Sequence, residues 1–103
     1  MQILALGLDT VMTNHLSNCD MFVEVGDADC AKEVALLLSC RTFDACIIHL
    51  EACRLNTYVA RDLRSNKVTV PLIGISQDQK RPWSTHRKMF LDNGGDDLLP
   101  NPL

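Results

Sequence analysis

Two side chains that could take part in proton or phosphoryl chemistry stand near the ends of apolar runs. His49 lies in the run 45–50, and Ser76 follows the run 70–75. An imidazole titrates near neutral pH, and a hydroxyl both donates and accepts hydrogen bonds. His49 therefore has three interpretations: a structural ring bonded to Ser76 or Asn101, a pH-sensitive switch, or a phosphohistidine. We prefer the first, because a structural ring needs only hydrogen-bond partners.

The basic segment of the chain, residues 80–88, includes its only Trp. One interpretation is a solvated loop and helix start, with Trp83 closing over the edge of the core. The other is a docking surface, because Trp and Arg are over-represented at interface hot spots. On that second interpretation the partner-binding candidates are Trp83, Arg87, Lys88 and Leu98.

The cysteines are interpreted as structural residues. Their number is odd and none form a C-x-x-C pair; they are Cys19, Cys30, Cys40, Cys46 and Cys53. In a reducing compartment such residues are more often small core residues than disulfides or zinc ligands. His15 and Cys19 could share a helical face, but two ligands do not make a metal site. We expect no metal and no cofactor.

The composition is that of one ordinary globular domain. The chain has 103 residues, of which 47% are hydrophobic and 22% are charged, enough for a single modest core. It contains no apolar run of the roughly 20 residues that span a bilayer and no signal peptide, so we expect a cytoplasmic protein without membrane contact. The net charge of −3 argues against direct DNA binding by this segment, because phosphate neutralisation dominates nucleic-acid affinity.

Strands and helices are predicted to alternate along the chain. Apolar runs predict strands at 2–8, 21–25, 45–50, 70–75 and 97–99. Apolar residues three or four apart predict helices at 11–17, after the turn 26–29, at 53–65 and at 84–93. Asp9 or Thr10 would cap the first helix, and Pro71 stands near the start of the fourth strand, where a missing N–H is tolerated.

Single helices between strands imply right-handed crossovers and a parallel sheet with helices on its faces. The predicted fold class is therefore α/β. In the flavodoxin-like strand order 2-1-3-4-5, functional groups collect at the carboxyl ends of the strands. The residues predicted to lie there are Gly7, Leu8, Asp9, His49, Ser76 and Asn101.

Three segments resemble parts of the receiver domains of two-component response regulators, most closely those of winged-helix (OmpR-type) regulators. Residues 44–50 (DACIIHL) resemble the third strand with its phosphoacceptor Asp. Residues 71–76 (PLIGIS) resemble the fourth strand with its Thr or Ser switch residue, and residues 94–103 (GGDDLLPNPL) resemble the Gly-Ala-Asp-Asp-Tyr-x-x-Lys-Pro-Phe ending. The resemblance implies a CheY-like, doubly wound, five-stranded sheet over the single domain 1–103.

The same resemblance implies that the metal-binding part of the family's pocket is degenerate here. Gly7 and Leu8 stand where the family has the acidic pair that holds Mg²⁺. Neither side chain offers the oxygen ligands that this hard cation requires. Asp9 lies one position after the place of this acidic pair and is better explained as a helix cap.

The phosphoryl-binding part is altered as well. His49 replaces the phosphoacceptor Asp, Asn101 replaces the Lys, and Leu98 takes the place of the switch aromatic, so that Ser76 alone remains. Acyl-phosphate formation needs a carboxylate nucleophile and a metal. We therefore predict a pseudo-receiver that is not an enzyme.

The predicted function is a phosphorylation-independent regulatory and dimerisation domain of a two-component-type transcriptional regulator. Such a domain would pair with a second copy of itself and reach DNA only through a downstream domain, with a regulatory protein or small ligand as a further candidate partner. The alternative is a flavodoxin-like domain that binds a small molecule or catalyses a reaction in the altered pocket. Against it, residues 8–11 (LDTV) are not a Gly- or Ser/Thr-rich phosphate loop.

The resemblance finally implies a missing last helix, since residue 103 falls where a fifth helix would begin. Together with a short first helix, this predicts that part of an apolar sheet face lies open. Exposed apolar patches usually mark an interface. We expect either a fragment of a longer regulator or a two-fold dimer that uses the fourth helix, the fifth strand and that face.

Overall fold

Five parallel strands form one sheet in the computed structural model, which describes residues 2–17, 22–26, 30–77 and 82–100. The strand order is β2-β1-β3-β4-β5, which is the order expected of a flavodoxin-like fold. The strands are β1 Gln2–Leu6, β2 Phe22–Gly26, β3 Ala45–His49, β4 Leu72–Ser76 and β5 Asp97–Pro100. The helices are α1 Thr10–Ser17, α2 Ala31–Ser39, α3 Val59–Ser65 and α4 Trp83–Asp92. The prediction of a parallel α/β fold is confirmed.

The middle strand β3 carries the most complete apolar run, and all five of its residues are buried. A strand covered on both faces is expected to be apolar throughout, because neither set of alternating side chains meets water. β3 pairs with β1 on one side and β4 on the other, so that His49 lies opposite Ile75. Side chains at the ends of these three strands are thereby brought to one edge of the sheet.

The core is divided by the sheet into a larger and a smaller cluster. The larger one joins alternate strand residues to three helices through Val34 of α2, Leu63 of α3 and Phe90 of α4. The smaller one lies on the opposite face and includes Met12 of α1 as a partly buried member. Side chains alternate between faces along a strand, which is why Leu98 belongs to the first cluster and Leu99 to the second.

The prediction of a helix over 53–65 was wrong in its first half. Arg54 has a φ of 56°, a conformation that ends an α-helical run, and the N–H of Leu55 donates to the carbonyl of Leu50. The chain therefore turns sharply after β3 before α3 begins at Val59. Leu55, Val59 and Leu63 nevertheless all pack on the larger cluster, because a turn can direct Leu55 inward without a helical backbone.

The part of the expected open sheet face that the structure describes is largely covered. Ile3, Ala45, Ile47 and Ile75, the core of the smaller cluster, are each no more than 9% exposed. Of the apolar strand residues beside them, Ile73 and Leu99 remain half-buried. Among the described strand residues, the half-buried apolar surface of this face therefore lies on its β4–β5 side.

Candidate functional site

A surface cavity of about 390 Å³ lies at the carboxyl ends of β1, β3 and β4. It is lined by Gly7, Asp9, His49, Glu51, Ala52 and Gln77. Three of these residues, Gly7, Asp9 and His49, were predicted from the sequence to lie at this edge. The strand register explains their meeting, because parallel strands end at the same edge of the sheet.

Gly7 follows β1 with a φ of 73°, in the left-handed region that favours glycine. A Cβ atom at this position would lie 2.9 Å from Ala52 Cβ and 2.9 Å from Cys53 Sγ. The turn after β3 therefore packs directly against the Gly7 backbone. An acidic side chain at position 7 would need both a strained backbone and a displaced turn.

Asp9 is the N-terminal cap of α1, as predicted. Its Oδ1 accepts a hydrogen bond of 2.8 Å from the N–H of Met12, and its carbonyl accepts from the N–H of Thr13. The first bond satisfies a backbone donor that the first turn of a helix otherwise leaves without a partner, and the second is the first regular bond of the helix. One oxygen of the Asp9 carboxylate is thus engaged in the cap, although Asp9 also lines the cavity.

His49 is buried, with 6% of its surface exposed. Its Nδ1 accepts a hydrogen bond of 3.1 Å from the N–H of Ala52. The bond ties the ring to the turn that follows β3 and requires Nδ1 to be without a proton there. Of the two partners predicted for His49, Asn101 lies outside the described residues, and Ser76 makes its described bonds to other residues.

Ser76, at the end of β4, donates instead to Glu51, a residue that the sequence reasoning missed. Its Oγ lies 2.9 Å and 3.1 Å from the two carboxylate oxygens of Glu51. The N–H of Gln77 also donates to Glu51 Oε1. A signal was available, because Glu51 is the first carboxylate after β3 and follows His49 by two residues, but only the turn brings it back to β4.

The Ser76 hydroxyl has a second close neighbour in α4. Nε2 of His86 lies 2.9 Å from Ser76 Oγ, and both residues are buried. A carboxylate only accepts, so we assign the hydroxyl hydrogen to Glu51 and a proton on His86 Nε2 that is donated to Oγ. These hydrogen-bond directions are unsuited to nucleophilic catalysis, in which the imidazole must accept the hydroxyl proton.

Two other predicted pocket residues, Leu8 and Leu98, are not among the described residues that line the cavity. Leu8 packs with the smaller core cluster. Leu98 is 1% exposed and belongs to the larger cluster, so its proposed role as a partner-binding residue is wrong, because its side chain is directed into the core. Asn101 lies outside the described residues.

The docking candidates on α4 have mixed surroundings. Trp83 is half-buried, packs against the edge of the larger cluster and meets the His86 ring edge-on, with centroids 5.7 Å apart. Arg87 is exposed and pairs with Asp97 of β5 at 3.0 Å, and Lys88 is exposed. Lys80 and Arg81 lie outside the described residues. The predicted packing of Trp83 on the core edge is observed, and partner binding stays a prediction.

The residues at the cavity do not fit a magnesium ion. The two carboxylates that line the cavity already accept hydrogen bonds, Asp9 Oδ1 from the start of α1 and Glu51 from Ser76 and Gln77. Within the described parts of the chain, no group of three or more His, Cys, Asp or Glu side chains could hold a metal. Mg²⁺ requires several oxygen ligands in near-octahedral geometry, and this set does not supply them.

Four of the cysteines lie in the described residues, and none of these four forms a disulfide. Cys46 and Cys53 are buried, whereas Cys30 and Cys40 are exposed at the two ends of α2. Burial, and secondarily the nearby Cys53, raises the pKa of the Cys46 thiol from its ordinary value of 9.0 to about 12. Cys19 and the suggested pairing with His15 fall outside the described residues.

Comparison with solved structures identifies the fold. The receiver domain of Klebsiella pneumoniae RstA, in its BeF3-activated state, superposes with a TM-score of 0.78 at 16% identity, over 100% of this chain and 87% of that one. The receiver domain of the Francisella response regulator 1452 gives a TM-score of 0.76 at 20% identity, over 99% and 84% of the two chains. This chain has the receiver fold. Identities this low establish the fold alone.

A more distant receiver fold comes from a eukaryote. The receiver domain of Saccharomyces cerevisiae Ssk1, solved with the histidine phosphotransfer protein Ypd1, has a TM-score of 0.66 at 14% identity and covers 100% of this chain and 79% of its own. No protein-family model matches the sequence, and no curated protein matches it either. Among the described helices, none is long and apolar enough to cross a membrane.

Proposed function

We propose that this chain is a phosphorylation-independent regulatory domain of a two-component-type transcription regulator. The observation that carries the proposal is the Ser76 hydroxyl, which the Glu51 carboxylate already binds at 2.9 Å and 3.1 Å. In the receivers that this sequence resembles, that hydroxyl is the switch group for a phosphoryl oxygen. A carboxylate presents two anionic acceptor oxygens, so Glu51 is suited to take the place of that group.

The backbone supports the same proposal, because Gln77 donates its N–H to the carboxylate that Ser76 binds. Two donors at the end of β4 thus converge on one internal anion. The nearby positions that would have to bring in Mg²⁺ and accept a phosphoryl group carry Gly7, Leu8 and His49. The domain would therefore keep Ser76 in one bonded state without an external input.

Intact-mass spectrometry after treatment with acetyl phosphate and Mg²⁺ tests this proposal. We expect no mass increase corresponding to a phosphoryl group, while a receiver that has the acidic residues is phosphorylated in a parallel reaction. A stoichiometric phosphoryl adduct on this chain would contradict the proposal. Peptide mapping of that adduct would then show whether His49 or another residue had accepted it.

We further propose that the domain acts by pairing with a second copy of itself through α4, β5 and the half-buried Ile73–Leu99 side of the sheet. The net charge of −3 favours a separate domain for any DNA contact. Exposed Arg87 and Lys88 lie on α4, and Arg87 bonds to Asp97 of β5.

Sedimentation equilibrium over a concentration series tests the pairing, with Lys88→Glu on α4 compared with Lys32→Glu on α2.

We expect concentration-dependent dimers that Lys88→Glu weakens and Lys32→Glu leaves unchanged. Both variants change the net charge by the same amount, so a difference between them reports on the location of the interface rather than on overall charge. A wild-type chain that stays monomeric over the whole series would contradict the pairing.

A further inference from the structure

An unbroken series of side-chain contacts leads from the cavity to the start of α4. Glu51 accepts from Ser76, and Ser76 Oγ lies 2.9 Å from His86 Nε2. The His86 ring in turn meets Trp83 edge-on, with an interplanar angle of 62°. Four side chains from a turn, a strand and a helix are thus joined.

The two middle members of this series are almost completely buried. Ser76 is 1% exposed and His86 is 5% exposed. In a close-packed interior, a buried ring cannot change its hydrogen-bond partner without moving against its neighbours. With Glu51 in place, Ser76 is almost inaccessible to water, so solvent competes little for its hydroxyl group. Trp83 is only half-buried, and a shift there reaches the protein surface.

The geometry points to a coupling between the Glu51 carboxylate and the position of Trp83, transmitted by Ser76 and His86. The inference rests on the proposed function, in which Glu51 replaces a phosphoryl group, and it adds the route by which that internal anion controls a surface. His86 is a positioning residue in this route. While Glu51 holds Ser76, the first turn of α4 keeps one arrangement, and loss of the carboxylate releases it.

The single Trp of the chain provides the measurement. Its fluorescence reports on position 83 alone, so the emission maximum and the acrylamide quenching constant follow the start of α4. We expect Glu51→Ala to shift the emission to the red and to raise the quenching constant, and Ser76→Ala to do the same. The Glu51→Ala/Ser76→Ala double variant should shift no further than the larger single effect, since both act on one route.

Two matched controls separate this route from a general change of charge or packing. Asp9→Asn removes the other carboxylate of the cavity while retaining an α1 cap, and it should leave the emission unchanged. His86→Phe keeps a ring beside Trp83 but removes the Nε2 donor. In the His86→Phe background, Glu51→Ala should therefore no longer shift the emission.

Far-UV circular dichroism and cooperative urea unfolding identify the variants that are folded. Wild-type emission in folded Glu51→Ala would overturn the coupling, and a full shift in the His86→Phe background would overturn the role of His86. If Glu51→Ala does not fold, Ser76→Thr provides the test. It keeps the hydroxyl and should retain wild-type emission, whereas a shift equal to that of Ser76→Ala would contradict the inference.

The fluorescence result is independent of the mass-spectrometric one. If Glu51→Ala has wild-type emission and the wild-type chain takes up no phosphoryl group, the coupling is contradicted and the proposed function stands. A phosphoryl adduct would remove the proposed function whatever the emission shows.

Discussion

At the scale of single residues, Gly7 is the cavity residue most constrained by its own backbone. Its φ is 73°, and the turn after β3 leaves no room for a Cβ atom beside Ala52 and Cys53. The resemblance to receiver domains implied only that Gly7 stands in the place of an acidic residue. The structure adds that the chain has closed over the space that an acidic side chain would occupy.

Gly7→Ala should therefore lower the free energy of unfolding by ~2 kcal/mol or more, from left-handed strain and overpacking together. Urea denaturation measures the loss. A Gly7→Ala variant as stable as the wild type would contradict this explanation.

Cys46 gives a prediction about pH. The folded state raises the pKa of its thiol from 9.0 to about 12, so between these values the unfolded chain releases a proton that the folded chain keeps. The Cys46 contribution to the free energy of unfolding should consequently fall by ~1.4 kcal/mol for each pH unit above about 9. Urea denaturation at increasing pH should show a shallower alkaline decline for Cys46→Ala than for the wild type, and identical slopes would contradict the shift.

At the scale of elements, Arg64 of α3 joins its own helix to two loops at the amino-terminal edge of β4 and β5. Its guanidinium donates to the carbonyls of Val68, Val70 and Gly94 at 2.8–3.0 Å. It also forms a 3.0 Å ion pair with Asp96, whose carboxylate accepts from the N–H of Leu72. One side chain thus sets the positions at which β4 and β5 begin.

Arg64→Ala should lower the free energy of unfolding by about 2–3 kcal/mol, because several partly buried carbonyls lose a charged donor. Arg64→Lys should recover only part of the loss, since an ammonium group cannot reproduce the planar fork. Arg61→Ala on the same helix, whose side chain is 64% exposed, should cost ~0.5 kcal/mol or less. Chemical denaturation of the three variants checks the ranking, and equal losses in Arg64→Ala and Arg61→Ala would contradict it.

At the scale of the whole molecule, the sheet separates two clusters of unequal burial. Two neighbouring residues of β5 lie in different clusters. Leu98 is 1% exposed in the larger cluster, and Leu99 is half-buried in the smaller one. A Cβ on Gly74 would lie 2.6 Å from Leu98 Cδ1, which shows how closely the larger cluster is packed there. The proposed self-association would cover the Leu99 side.

Leu98→Ala should lower the free energy of unfolding by ~3 kcal/mol, since it leaves a cavity in a packed core. Leu99→Ala should cost about half that or less in a monomer, because less of its surface is buried. If copies pair over this face, the loss in Leu99→Ala should grow with protein concentration, while that in Leu98→Ala should not. Thermal unfolding at several concentrations measures both, and a concentration-independent Leu99→Ala would contradict this interface.

The sequence by itself determined the alternation of strands and helices, the parallel sheet, a cap at Asp9 or Thr10 and the gathering of Gly7, Asp9 and His49 at one edge. These features follow from local periodicity and from the rule that parallel strands end together. Only the tertiary structure decided that Glu51 binds Ser76, that His86 meets Ser76 from α4, and that Leu98 is directed into the core. The physical reason is that such contacts depend on a turn and a helix packing that no local pattern encodes, as the positive φ of Arg54 shows.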